Sequence, residues 1–176
     1  MNNLNIQNKN VFIFSKKSFD DLMSKRGISD DNVHEYDDCA FISILCPDIE
    51  EKYLIPDIFS DNEHWFKKVH DNVINLDFWD IEKDVEYKGG LLKSFTPEQA
   101  DKIIAFIEKN NDKHFLIHCH AGISRSSAVA FFIRDYYNWV DKYEFDNRYR
   151  GRKAPNQKVF IELKNAYERK YYGERE

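Results

Sequence analysis

Between His114 and Tyr137 the chain runs HFLIHC-HAGISR-SSAVAFFIRDYY. The first part is a short apolar run of strand length, and the last, from Ser126 to Tyr137, is apolar nearly all round, as a buried helix is. Only small and polar residues join them. A buried strand that turns through one short loop into a buried helix is the repeating unit of an α/β domain. The loop then lies outside the carboxyl end of a strand, where open α/β sheets bind ligands. It also lies at a helix N-terminus, which offers unpaired N–H groups and a partial positive charge.

Other segments extend that pattern. Asn10–Ser15 (NVFIFS) reads as a strand, and Cys39–Leu45 as a second one ended by Pro47. Val73–Phe78 alternates Ile74, Leu76 and Phe78, which predicts a third. Ser18 is placed to cap a helix carrying Phe19, Leu22 and Met23, with Gly27 at its end. Thr96-Pro97-Glu98-Gln99 spells a capping box with proline at the first helical position. Ala100, Ile103, Ile104 and Ile107 then share one face, and Asn110-Asn111 end the helix. Asn156 predicts a cap for a last helix bearing Val159, Phe160, Leu163 and Tyr167. Strands alternating with helices predict an α/β class with a mostly parallel central sheet flanked by helices. With no repeat and no linker, residues 1–176 read as a single domain.

Composition excludes several function classes. A formal net charge of −5 argues against an electrostatic nucleic-acid binder. The polar start MNNLNIQNKN lacks a secretory layout, and the apolar run from Cys39 to Cys46 is too short to cross a bilayer. Three cysteines make no disulfide framework, so Cys39 and Cys46 read as small buried hydrophobes. The expectation is a soluble cytoplasmic domain. The cluster Arg148, Arg150, Arg152 and Lys153 reads as a solvated loop, or else as a rim that attracts an acidic phosphopeptide.

The chemistry concentrates in the loop. A cysteine at a helix N-terminus, ringed by amides and beside a guanidinium, is favoured as the thiolate. Five residues separate Cys119 from Arg125, which suits one loop closing on one tetrahedral anion. The planar fork of arginine holds two phosphate oxygens in a way lysine does not match. Gly122 lets the backbone turn its amides inward. Ser126 brings a hydroxyl near the sulfur. Attack by Cys119 on a phosphate ester would give a thiophosphate that water then hydrolyses. His118 and His120 flank the cysteine, but a metal reading lacks further ligands at suitable spacing, so no metal and no cofactor are expected. His34, His64 and His70 show no partner pattern and read as surface or core histidines.

This wording resembles the phosphate-binding loop of cysteine-based protein tyrosine phosphatases, His-Cys-x5-Arg-Ser/Thr. Ala-Gly-Ile-Ser-Arg-Ser looks most like the dual-specificity branch and the small bacterial or viral tyrosine phosphatases. The likeness covers roughly residues 70–140. It implies a tyrosine-phosphatase-like three-layer fold and a phosphorylated protein or peptide as substrate. It also implies Cys119 as nucleophile, Arg125 as phosphate clamp and Ser126 as thiolate partner. His120, Ala121, Gly122, Ile123 and Ser124 would line the phosphate cup with Arg125. His118 would support the loop and adjust the thiolate.

The family further requires an aspartic acid from an upstream loop to protonate the leaving group. Asp77, Asp80 and Asp84 are the candidates, with Asp80 preferred, then Asp84, then Asp77. Asp80 lies 39 residues before Cys119, longer than the family's spacing. The excess falls in Glu82–Ser94, whose Gly89-Gly90 pair suggests a mobile lid or an inert insertion. Rival readings are an inositol-phospholipid phosphatase, an RNA 5′-triphosphate phosphatase, a sulfurtransferase, and a phosphate-binding module with little turnover. The oligomeric state is not legible.

Overall fold

The computed structural model describes residues 9–47, 62–143 and 154–173, and for 140–143 the backbone alone. The elements, in chain order, are β1 (Asn10–Ser15), α1 (Lys16–Arg26), a 3-10 turn (Val33–Glu35), β2 (Cys39–Leu45), β3 (Val73–Asp77), β4 (Val85–Tyr87), β5 (Gly90–Leu92), α2 (Pro97–Lys109), β6 (His114–Cys119), α3 (Arg125–Tyr137), β7 (Val140–Tyr143) and α4 (Gln157–Tyr172). The cluster Arg148, Arg150, Arg152 and Lys153 lies outside the described residues.

β6 is the middle of a five-stranded sheet in the order β3-β2-β6-β1-β7, and every pairing in it is parallel. Parallel strands need both faces covered, and the alternation of side chains supplies two apolar faces. Val11, Ile13, Ala40, Ile42, Phe115 and Ile117 pack with residues of α2, α3 and α4, among them Ile103, Ile107, Val129, Phe132, Val159 and Leu163. On the opposite face Phe14, Phe41 and Leu116 pack with Phe19 and Met23 of α1. Burying each such side chain contributes about 1.5–3 kcal/mol. The chain is thus an α/β protein with a parallel central sheet and helices on both faces.

Three local expectations shift. Ser15, the last residue of β1, caps α1 instead of Ser18: its extended backbone lets Oγ accept from the Ser18 amide at 3.2 Å. The helix therefore follows the strand without a loop. Residues 85–92 form a two-stranded antiparallel hairpin, turned at Lys88 and Gly89, whose φ angles of 48° and 81° suit a tight reversal. β7 was unexpected, and it pairs with β1 at the edge of the sheet. The Thr96 capping box is present, with Gln99 N–H donating to Thr96 Oγ1 at 3.3 Å and Thr96 N–H to Gln99 Oε1 at 3.0 Å.

Candidate active site

Because the strands are parallel, their carboxyl ends gather at one edge. Cys119 ends β6 there, in register with Ser15 of β1, while Asp77 ends β3 beside Leu45 of β2. The loop after Cys119 turns its carbonyls outward. His120 C=O accepts from Lys16 N–H at 3.1 Å, and Ile123 C=O from Ala154 N–H at 3.2 Å. Ser124 C=O accepts from Ala128 N–H at 3.0 Å and from Asn156 N–H at 3.3 Å. Among the described residues the amides of Ala121 and Ile123 meet no acceptor, so the loop keeps donors for an anion. Gly122 has φ +68°, and a Cβ there would lie 2.6 Å from the Phe14 carbonyl atoms. Only glycine lets the loop lie this close to the junction of β1 and α1.

Cys119 is 2 % exposed, and its Sγ is 3.2 Å from Ser126 Oγ. Arg125, at the first turn of α3, is 4 % exposed. One of its terminal nitrogens donates to Phe78 C=O at 2.8 Å and contacts Cys46 Sγ at 3.5 Å. Its Nε is buried with no partner among the described residues. An orphaned charged donor in such a place costs several kcal/mol unless a ligand meets it. Cys46 is therefore more than a small core residue: it is part of the wall that aims the guanidinium. Burial pushes its thiol up, although Arg125 pulls the other way. Cys39, Cys46 and Cys119 are all free thiols.

The three candidate acids part company here. Asp80 is exposed, and its Oδ1 accepts from Ser124 Oγ at 2.7 Å and from Asn156 Nδ2 at 2.8 Å. Asp84 accepts from the Ser94 amide and hydroxyl, both at 2.8 Å, which hold its carboxyl below the usual range. Asp77 pairs with His64 Nε2 at 2.9 Å. Only Asp80 is hydrogen-bonded to the loop. The sequence presents Asn156 as a cap alone. It is one, since its Oδ1 accepts from Val159 N–H at 3.1 Å, but its amide donors also tie Asp80 and the loop together. The excess chain of 82–94 is spent on the hairpin β4–β5, closed by the Asp84–Ser94 bonds and by Trp79 N–H donating to Lys93 C=O at 3.3 Å.

His118 is fully buried and stacked on Phe19, with ring centroids 4.3 Å apart. Burial, reinforced by the charges of His64 and Lys16, pushes its pKa down to about 3, so the ring is neutral at ordinary pH. It brings no positive charge to the sulfur. The ring fills volume under the loop. His120 is exposed, Ala121, Ile123 and Ser124 are half-buried and Gly122 is buried. No group of three or more His, Cys, Asp or Glu side chains clusters as metal ligands among the described residues. His64 and His70, featureless in the sequence, both have partners: His64 bridges Ser43 and Asp77, and His70 pairs with Asp30 at 2.8 Å. No family model, curated protein or solved structure matches the chain.

Proposed function

We propose that this protein is a cysteine-dependent phosphate-monoester hydrolase of the protein-tyrosine-phosphatase kind, with its fold a variant of that family's three-layer architecture. The observation that carries the reading is the cup itself. Cys119 lies at its floor 3.2 Å from Ser126 Oγ, and among the described residues the amides of Ala121 and Ile123 and the Nε of Arg125 meet no acceptor. Such a cup suits one tetrahedral dianion.

In this mechanism the Cys119 thiolate attacks phosphorus and the P–O bond to the leaving group breaks. Asp80 gives its proton to the departing oxygen. Loop amides and Arg125 meet the charge that develops on the equatorial oxygens. Water then attacks the cysteinyl phosphate, Asp80 takes a proton from it, and the P–S bond breaks to return the thiolate. Ser126 donates to the sulfur as it leaves. The scheme uses no metal and no cofactor.

The favoured substrate is phosphotyrosine in a protein or peptide, with phosphoserine and phosphothreonine open to test. Lipid-directed relatives carry lysines in the loop where this chain has His120 and Ile123, and an RNA substrate calls for a larger basic surface than a net charge of −5 suggests. Free thiols at Cys39, Cys46 and Cys119 suit a reducing, cytoplasmic compartment. No described helix is long and apolar enough to cross a membrane. The test is hydrolysis of para-nitrophenyl phosphate and of a phosphopeptide panel in the presence of a chelator. Activity that is abolished by Cys119→Ser and indifferent to chelation supports the reading; Cys119→Ser retaining full activity sinks it.

A further inference from the structure

Directly beneath the nucleophile stands an unsolved polar problem. Both ring nitrogens of His118 are buried without a hydrogen-bond partner among the described residues. The Cys119 backbone is the one polar group near enough to raise the His118 pKa as a weak hydrogen-bond partner, and neither nitrogen makes a full bond among the described residues. Each buried polar atom left so costs about 1–3 kcal/mol, and a native site that carries two calls for an explanation.

The nearest strand offers one. Ser43 of β2 is in register with His118 of β6, so the two side chains leave the sheet on the same face from strands about 4.8 Å apart. Ser43 is 1 % exposed and already engaged on its other side: its Oγ is 2.6 Å from His64 Nδ1. His64 Nε2 is in turn 2.9 Å from Asp77 Oδ1, whose carboxylate is half in solvent. An imidazole facing a carboxylate through Nε2 carries its proton there. Nδ1 of the neutral ring is then an acceptor, and the Ser43 hydroxyl must donate to it. Once His64 gains a second proton, Nδ1–H becomes the donor and Ser43 Oγ the acceptor. The serine proton is then released to turn toward a different acceptor. Among the described residues, a ring nitrogen of His118 on that face is a buried acceptor without a partner.

We infer that His64 and Ser43 are positioning residues for the loop: the Ser43 hydroxyl is shared between the His64 and His118 rings, and the protonation of His64 against Asp77 decides which ring it serves. The inference rests on the phosphatase reading only for its kinetic consequence. When His64 is charged, Ser43 donates to one nitrogen of His118. The opposite N–H is then held toward the Cys119 backbone, which steadies the floor of the cup. When His64 is neutral, His118 loses that partner. No covalent bond is made or broken in this exchange, and the added proton reaches His64 from solvent past Asp77. Among the described residues these charged groups surround the pair. Asp77, Glu63 and Lys67 line the 340 Å³ cavity that His64 borders, while Lys16 of α1 and Arg125 of α3 bear on His118.

Ring ¹⁵N NMR of the whole chain against pH tests this directly, in wild type, Ser43→Ala and His64→Gln. In wild type the His118 ring should stay neutral while its ¹⁵N shifts move in step with the His64 titration. In Ser43→Ala the His64 titration should persist and the His118 response vanish. An unmoving His118 signal in wild type, or an undiminished response in Ser43→Ala, overturns the relay. Kinetics on para-nitrophenyl phosphate give the second readout. His64→Gln should remove one ionisation step from the kcat profile, lowering kcat about three- to tenfold on the acid side with KM unchanged. The double variant should be no worse than either single one. A uniform loss at every pH, or additive losses, overturns a positioning role. Wild type that shows the NMR coupling but no turnover would instead refute the phosphatase reading and leave the relay standing.

Discussion

The Asp80 carboxylate accepts a 2.7 Å hydrogen bond from the hydroxyl of Ser124, a residue 44 positions later in the chain and inside the loop after Cys119. The same oxygen accepts from Asn156 at the start of α4. Two remote segments thus converge on the loop that follows Cys119, and they select one aspartate out of three as the candidate acid.

Asp80→Asn should lower kcat toward aryl phosphates by about 10²–10⁴-fold, the usual contribution of general acid catalysis. The loss should grow with the basicity of the leaving group and shrink for activated esters. Asp84→Asn should leave kcat within about threefold, because Asp84 is engaged with Ser94 at the base of the hairpin. Steady-state kinetics over a series of substituted phenyl phosphates checks both.

Ser126 stands 3.2 Å from the sulfur, so its hydroxyl should matter when thiolate leaves. Ser126→Ala is expected to slow hydrolysis of the cysteinyl phosphate more than its formation. Stopped-flow release of para-nitrophenol should then show a burst absent from wild type, and a trapped phosphocysteine at Cys119 should appear by mass spectrometry.

Gly122→Ala should be among the most damaging single changes. A methyl group there meets the Phe14 carbonyl at 2.6 Å on a backbone with φ +68°, so the loop must leave the β1–α1 junction. The strained backbone alone costs about 1–3 kcal/mol, and the overlap adds to it. Urea unfolding should show at least about 2 kcal/mol of lost stability, with binding of inorganic phosphate abolished.

His118 imposes a pH signature on stability. Its pKa falls from 6.5 to about 3 on folding, so between those values the unfolded chain holds a proton that the native one lacks. Stability is complete above pH 6.5 and falls as pH drops toward about 3. The slope from this residue is at most about 1.4 kcal/mol per pH unit. Carboxylates such as Asp84, held low by Ser94, add the same sign only at more acid pH. From pH 6.5 down to 5 the effect of His118 is separate from that of such low-lying carboxylates. Urea midpoints there should fall more steeply with pH in wild type than in His118→Phe, the difference between the two slopes being the share of His118.

Much of this was legible in the linear chain because its causes are local. Thr96, Pro97 and Gln99 specify a helix start within four residues, and Asn156 does the same for α4. The run from His114 into α3 encodes a strand, a loop and a helix in consecutive positions. The start of α1 was misplaced because Ser15 and Ser18 both suit a cap, and the end of β1 decides between them. The hairpin was read as a lid or an insertion, since Lys88 turning with φ 48° is an uncommon choice for a lysine.

By itself, then, the order of residues determined the parallel α/β class and the single loop that brings a cysteine and an arginine to one helix N-terminus. Both follow from periodicity, caps and a five-residue spacing, which act over a few residues. Tertiary structure alone decided which aspartate reaches that loop, that Asn156 serves two elements, and that Asp77, His64 and Ser43 form one hydrogen-bonded chain ending beside the register position of His118. Those relations join residues tens of positions apart, set by strand order and by how each segment docks on the sheet edge. No spacing along the chain encodes that docking.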